Sequence, residues 1–168
     1  MRDSHILRHA TEIDRSFMAS PRAPRPPAKA LDRGVLEELL GYHLRRSQVA
    51  VFQDFAQAMD GFALTPGQFG VLALIQANPG LSQSALGKAM GVDRSTVVAV
   101  IDRLETRGLV QRTVAANDRR SNALRLSAEG MRRFAAALKR IYGHEKQITK
   151  RLTAAERTQL LNLLRRIE

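Results

Sequence analysis

Apolar positions from residue 31 onward recur every three or four places, with one interruption where they alternate, so the chain predicts helices around a single small hairpin. A long helix is expected from Leu31 to Met59. Leu36, Leu40, Val51, Phe55, Ala58 and Phe62 form one stripe on it, interrupted by His43 and Ser47, while Val35, Leu39, Tyr42, Val49 and Ala56 form a second. Two stripes imply a helix packed on two sides. Thr65 then opens TPGQFGVLALIQAN with a Thr-x-x-Gln capping box, a proline at the first helical position, and Phe69, Leu72 and Ile75 facing inward.

Ser82 caps a short helix carrying Gln83, Leu86 and Met90, which Gly91 ends. Asp93 caps the next, whose inner stripe is Val97, Val100, Ile101 and Leu104 and whose outer face is Arg94, Ser95, Val98, Ala99 and Asp102. After the Gly108 stop, LVQRTV alternates as a half-buried strand does, and a second strand is expected at Asn122 to Leu126 across the turn-forming AANDRRS. Beyond Ser127 a long helix carries Met131, Phe134, Leu138 and Tyr142. Thr153 and Glu156 then cap a last helix bearing Leu160, Leu161, Leu163 and Leu164.

Two short helices joined through Gly91 and Val92 have the geometry of a helix-turn-helix, in which the second helix enters a DNA major groove by its N-terminal residues. Those residues are Arg94, Ser95 and Thr96. The hairpin is too short to stand alone and should pair back onto the helices as a wing. At its tip Arg119 and Arg120 suit phosphates or a narrow minor groove, with Asp118 orienting one of them. The candidate DNA-facing set extends to Ser82, Gln83, Ser84, Val98, Ala99, Arg103, Arg112 and Asn117. The fold class expected is mainly α with a small β-hairpin wing: a winged helix-turn-helix lobe plus a helical lobe, which the family resemblance given below implies is for dimerisation. Four segments follow: a partly flexible extension over 1–30, a long helix over 31–62 that the same resemblance makes the link between dimer interface and DNA lobe, the DNA-binding lobe over 63–126, and C-terminal helices over 127–168 that it makes the dimerisation helices.

Charge changes this picture in one respect. The 168 residues carry 27 basic and 16 acidic side chains, an excess of +11 that favours a polyanion partner. The most basic third is the C-terminal one, so the order of motifs rather than net charge singles out the DNA-facing lobe. The absence of cysteine removes disulfides, thiolate metal sites and thiol-based sensing. His5 and His9 have helical spacing for a shared metal but no third ligand nearby, so neither metal nor cofactor is expected. Phosphate loops, HExxH and GxSxG are lacking, and Glu37 and Glu38 lie on a charged helix face, so no enzyme is expected. No apolar run is long enough for a membrane span and the N-terminus lacks a signal peptide's apolar core, which predicts a cytoplasmic protein. Residues 1–30 end in SPRAPRPPAK, an extended linker.

GVDRSTVVAVIDRLETRGLVQR followed by NDRRSNALRLSAEG resembles the DNA-binding lobe of the MarR family of bacterial transcription regulators. Helix order is similar from Leu31 to the C-terminus, and motif-level identity runs from Leu64 to Gly130. The resemblance implies a homodimer in which the last helix meets the partner's termini, and recognition helices spaced about 34–36 Å apart on an inverted-repeat operator. It also implies a repressor released by a small effector acting through differential affinity for two states. LLGYHLRRSQVAVFQDF resembles the first helix of hydroxycinnamate-type members, which implies an aromatic acid or its CoA thioester. The place to look for that ligand is His43 and Ser47 with Arg46, Phe52 and Phe69, the alternative for His43 being a satisfied core histidine. Arg22 and Arg25, with Arg45 and Arg46, supply guanidinium groups for the phosphates of a CoA. Two other readings stand beside it: a sequence-tolerant DNA architectural protein, and a winged-helix module for protein contacts.

Overall fold

The computed structural model describes residues 31–115 and 118–167, with the backbone alone for 114–115 and 118–122. The linker, His5, His9, Arg22, Arg25 and Asn117 lie outside the described residues. Met1–Glu37 and Glu38–Glu168 form separate units. The helix expected to start at Leu31 does not do so: a short 3-10 helix, Gly34–Glu38, comes first, and α1 runs Leu40–Ala58. Gly34 has φ +49° and Leu39 is extended, at φ −92° and ψ 116°, and both conformations break an α-helical ladder.

The second unit continues with α2 (Pro66–Ala77), β1 (Leu81–Ser82), α3 (Gln83–Met90), α4 (Arg94–Thr106), β2 (Val110–Ala115), β3 (Asp118–Leu126), α5 (Ala128–Ile148) and α6 (Ala154–Leu164). Local chemistry sets most of these boundaries. Thr65 closes a capping box with Gln68, its backbone N–H donating to Oε1 at 3.1 Å and its hydroxyl accepting from the Gln68 N–H at 3.2 Å. Thr153 and Glu156 repeat the device at α6. Gly91 takes the left-handed conformation, φ +63°, that turns α3 toward α4 without the steric cost an L side chain would bring.

The sheet is antiparallel in the order β1-β3-β2. Two-residue β1 was not anticipated; Leu81 and Ser82 pair with Leu124 and Ala123 and give the hairpin the third strand that a short hairpin needs. The wing tip also differs from expectation. Asp118 to Ser121 belong to β3 rather than to a turn, and the register shifts between Val114, opposite Asn122, and Ala115, opposite Asp118. Arg119 and Arg120 therefore sit in a strand irregularity, a device that re-aims side chains.

Leu72, Ile75, Leu86, Val97, Ile101, Leu104, Leu109, Val110 and Leu124 form the core between α2, α3, α4 and the sheet, and Phe55, Met59 and Ala137 extend it to α1 and α5. The inward stripes expected on α2 and α4 are the buried ones, with Val100 and Phe69 half-buried. Two other stripes need correcting. On α1 only Phe55, with Met59 just beyond the helix, is fully buried, whereas Leu40 is 61% and Val49 39% exposed, so the described residues of one chain cover one end of α1 and not two sides. On α5 the inward residues are Gly130, Phe134, Ala137, Ile141 and His144; Met131 and Tyr142 point outward. α6 contains no buried residue.

Candidate nucleic-acid interface

The outer face of α4 is built around its cap. Asp93 Oδ1 accepts from the Thr96 N–H at 2.9 Å and from the Ser95 hydroxyl, and Oδ2 accepts from the Thr96 hydroxyl at 2.8 Å. The Ser95 hydroxyl bond, then the Thr96 amide and hydroxyl bonds, hold the Asp93 carboxyl well below the usual carboxylate range, so the cap is ionised at neutral pH. Ser95 and Thr96 thus spend their hydroxyl protons on the cap and retain acceptor capacity outward.

Beyond the cap, Arg94, Ser95, Val98, Ala99 and Asp102 line an open concavity, the same outer face expected from helical spacing. Arg94 and Arg103 are exposed and have no ion-pair partner among the described residues. Arg112, counted among the DNA-facing candidates, is turned onto two carboxylates of α4. Its guanidinium lies 2.5 Å from Asp102 Oδ1 and also pairs with Glu105, whose Oε1 accepts the Arg112 backbone N–H at 3.3 Å. Strand β2 is thereby fastened to α4, and two carboxylates are neutralised beside the face that bears Arg94. On α3, the Ser82 hydroxyl accepts from the Ala85 N–H at 3.2 Å; Ser82 and Gln83 are half-buried and Ser84 is exposed.

The expected ligand residues do not converge within one chain. His43, Arg46 and Ser47 share a face of α1, all exposed, with the Arg46 guanidinium 5.7 Å from the Tyr42 ring and His43 edge-on to Tyr42 at 5.6 Å. His43 is exposed within the single chain. Phe52, nine residues along, projects from the opposite side of the helix, at roughly 180° for 100° per residue. Phe69 stacks on Phe134 at 5.6 Å and meets Phe55 edge-on at 6.5 Å, roughly 18 Å along α1 from the level of His43.

A buried histidine paired with a half-buried aspartate escaped the sequence reading. His144 of α5 is 5% exposed, its Nδ1 lies 2.6 Å from Asp54 Oδ1 of α1, and its ring stands edge-on to Phe55 at 5.7 Å. Asp54, Phe55, Phe69, Phe134 and His144 thus form one cluster where α1, α2 and α5 meet. Among the described residues no group of three or more metal-ligating side chains occurs, and no helix is long and apolar enough to cross a membrane.

Comparison with known proteins places this geometry. A model of the MarR family matches residues 64–121. A putative transcriptional regulatory protein for the hcr operon of Thauera aromatica is 41% identical over 138 residues, covering 82% of this chain and 83% of that protein. The solved transcriptional repressor CouR bound to a 23-mer DNA duplex superposes with a TM-score of 0.79 at 42% identity, over 83% of this chain and 99% of that one. CouR bound to p-coumaroyl-CoA gives 0.75 at 41% identity, over 82% and 96%.

Proposed function

Because this chain belongs to the MarR family of transcription regulators, we propose that it is a homodimeric, sequence-specific repressor released from an inverted-repeat operator by an aromatic acyl-CoA. The observation that carries the reading is the outer face of α4: an exposed Arg94, without an ion-pair partner among the described residues, beside a small, polar and apolar floor of Ser95, Val98 and Ala99. An arginine so placed suits bidentate contact with guanine, and the methyl-bearing floor suits thymine. Arg112 acts from behind this face, setting the wing on α4, while the backbone irregularity at Arg119 and Arg120 aims the wing toward the flanking groove.

The remaining roles follow the helices. Exposed apolar side chains on the first half of α1 and along α6, among them Leu40, Leu44, Leu160 and Leu163, form the surface that a second copy covers. Residues 31–62 and 127–168 supply the dimer and 63–126 the reader. The effector's aromatic group lies toward the cluster of Phe69, Phe134 and His144, with Arg46 meeting the CoA phosphates. Likeness to CouR, whose complexes hold a DNA duplex and p-coumaroyl-CoA, supports both halves of the reading. The protein is not an enzyme, and it works in the cytoplasm, where its DNA lies.

Selection of bound sequences from a random duplex library tests this directly. The expected result is an inverted repeat whose half-sites lie about 10–10.5 base pairs apart, centre to centre. Arg94→Ala should lower the preference for that repeat over a scrambled duplex by about tenfold to a hundredfold, in keeping with the loss of one bidentate base contact. Recovery of no common sequence would instead favour a sequence-tolerant architectural protein, for which the basic C-terminal third supplies the charge.

A further inference from the structure

We infer that Arg107, at the C-terminal end of α4, is the positioning residue through which the recognition helix and the α1–α2 loop move together. The inference rests on the proposed DNA-reading role of α4. Arg107 is half-buried, and its two terminal nitrogens donate to consecutive carbonyls of the loop: Nη1 to Ala63 O at 2.7 Å and Nη2 to Phe62 O at 3.1 Å. The two donors of one rigid guanidinium fix both the distance and the orientation of the peptide they grip. That peptide is conformationally demanding. Ala63 has φ +52°, the only positive φ at a non-glycine among the described residues, and a left-handed alanine persists where its surroundings hold it.

The same loop is held from its other side. The Arg140 guanidinium of α5 lies 6.0 Å from the Phe62 ring centroid, and the Phe62 N–H donates to Met59 O at 2.9 Å, at the end of α1. A line of direct contacts therefore runs from α5 through Phe62 to the Ala63 carbonyl, and through Arg107 into α4. The Arg107 guanidinium donates to the loop, and the Arg107 backbone N–H donates to Arg103 O at 3.2 Å within α4. It acts through the loop, by coupling the orientation of α4 to the helices that carry the dimer and effector surfaces.

Hydrogen exchange on the full-length protein, free and bound to a duplex selected as above, tests the inference. In the wild type, operator binding should slow exchange both in the first turn of α4, residues 94–99, and in the loop, residues 59–65, by at least about fivefold, the lower end of ordinary coupling between sites. In Arg107→Gln the slowing at 94–99 should persist while that at 59–65 disappears. Arg107→Lys, which has a single nitrogen to share between two carbonyls, should recover part of it, a result that separates coupling from loss of fold. Equal loop protection in wild type and Arg107→Gln would overturn the inference, and so would a wild-type loop that does not respond to DNA. Absence of protection at 94–99 in the wild type would overturn the DNA-reading role itself, and the inference with it.

Discussion

Aspartate at both Leu160 and Leu163 lowers operator affinity by about two to four orders of magnitude, the range by which linked sites exceed single ones, and leaves the winged-helix core intact. Leu160 is 45% and Leu163 47% exposed on a helix with no buried residue, and exposed leucines at i and i+3 present one apolar strip. Burying a leucine stabilises by about 1.5–3 kcal/mol per side chain, so a paired surface gains several such increments, whereas an unpaired carboxylate in the same place carries a desolvation cost. The core from Leu72 to Leu124 does not include these residues, so it has no reason to unfold. What is lost is the second recognition helix. Sedimentation velocity and a binding titration on the selected duplex measure both parts; a variant that stays dimeric, or that binds as a monomer with wild-type affinity, contradicts the assignment of α6.

Gly130→Val should lower stability by about 3 kcal/mol, at the upper end of ordinary overpacking. Gly130 lies in the first turn of α5, and a Cβ there would collide with the Leu109 carbonyl, with the Leu109 Cα only 3.2 Å away. That carbonyl has little freedom to retreat. It accepts the Ser127 N–H at 3.0 Å, the Leu109 N–H is bound to Leu104 O at 2.9 Å, and the Ser127 hydroxyl bridges Gly108 O at 2.5 Å and the Gly130 N–H at 2.8 Å. The close approach of backbone to backbone welds the end of α4 and the start of β2 to α5. A fall in Tm of roughly 10 °C is expected for a domain of this size. Gly143→Ala in the same helix is the control: a Cβ there meets nothing within 4 Å, so the change should stabilise slightly. Equal Tm values for Gly130→Val and wild type would contradict the packing described.

What the sequence disclosed follows the range over which each determinant acts. Caps at Thr65, Ser82, Asp93 and Thr153 are set by groups three residues apart, and each stands where its residue type suggested. The outer face of α4 was legible for the same reason, since helical spacing alone sorts Arg94, Ser95, Val98, Ala99 and Asp102 from the core. The inward face of α5 was not. Gly130 and Ala137 are buried because they are small enough for close approach, a property that hydrophobic periodicity does not register, and Met131, one position from Gly130, gave a stronger signal. Pairs distant in sequence were equally hidden. His144 and Asp54 lie 90 residues apart, and Arg107 meets Phe62 and Ala63 across 45 and 44. Arg112 was counted with the DNA-facing residues, and its carboxylate partners Asp102 and Glu105 sit on a different element. The α1 stripes were read as packed on two sides, although the described residues of one chain leave Leu40 and Val49 exposed.

The central claim is that an effector governs whether α4 reads its operator. Fluorescence anisotropy of protein bound to a labelled, selected duplex, titrated with p-coumaroyl-CoA and separately with free coenzyme A at fixed salt, measures it. The expected result is release by the thioester with a coupling of about five- to 150-fold in operator affinity, and little release by coenzyme A alone. Equal operator affinity with and without saturating thioester would contradict the account.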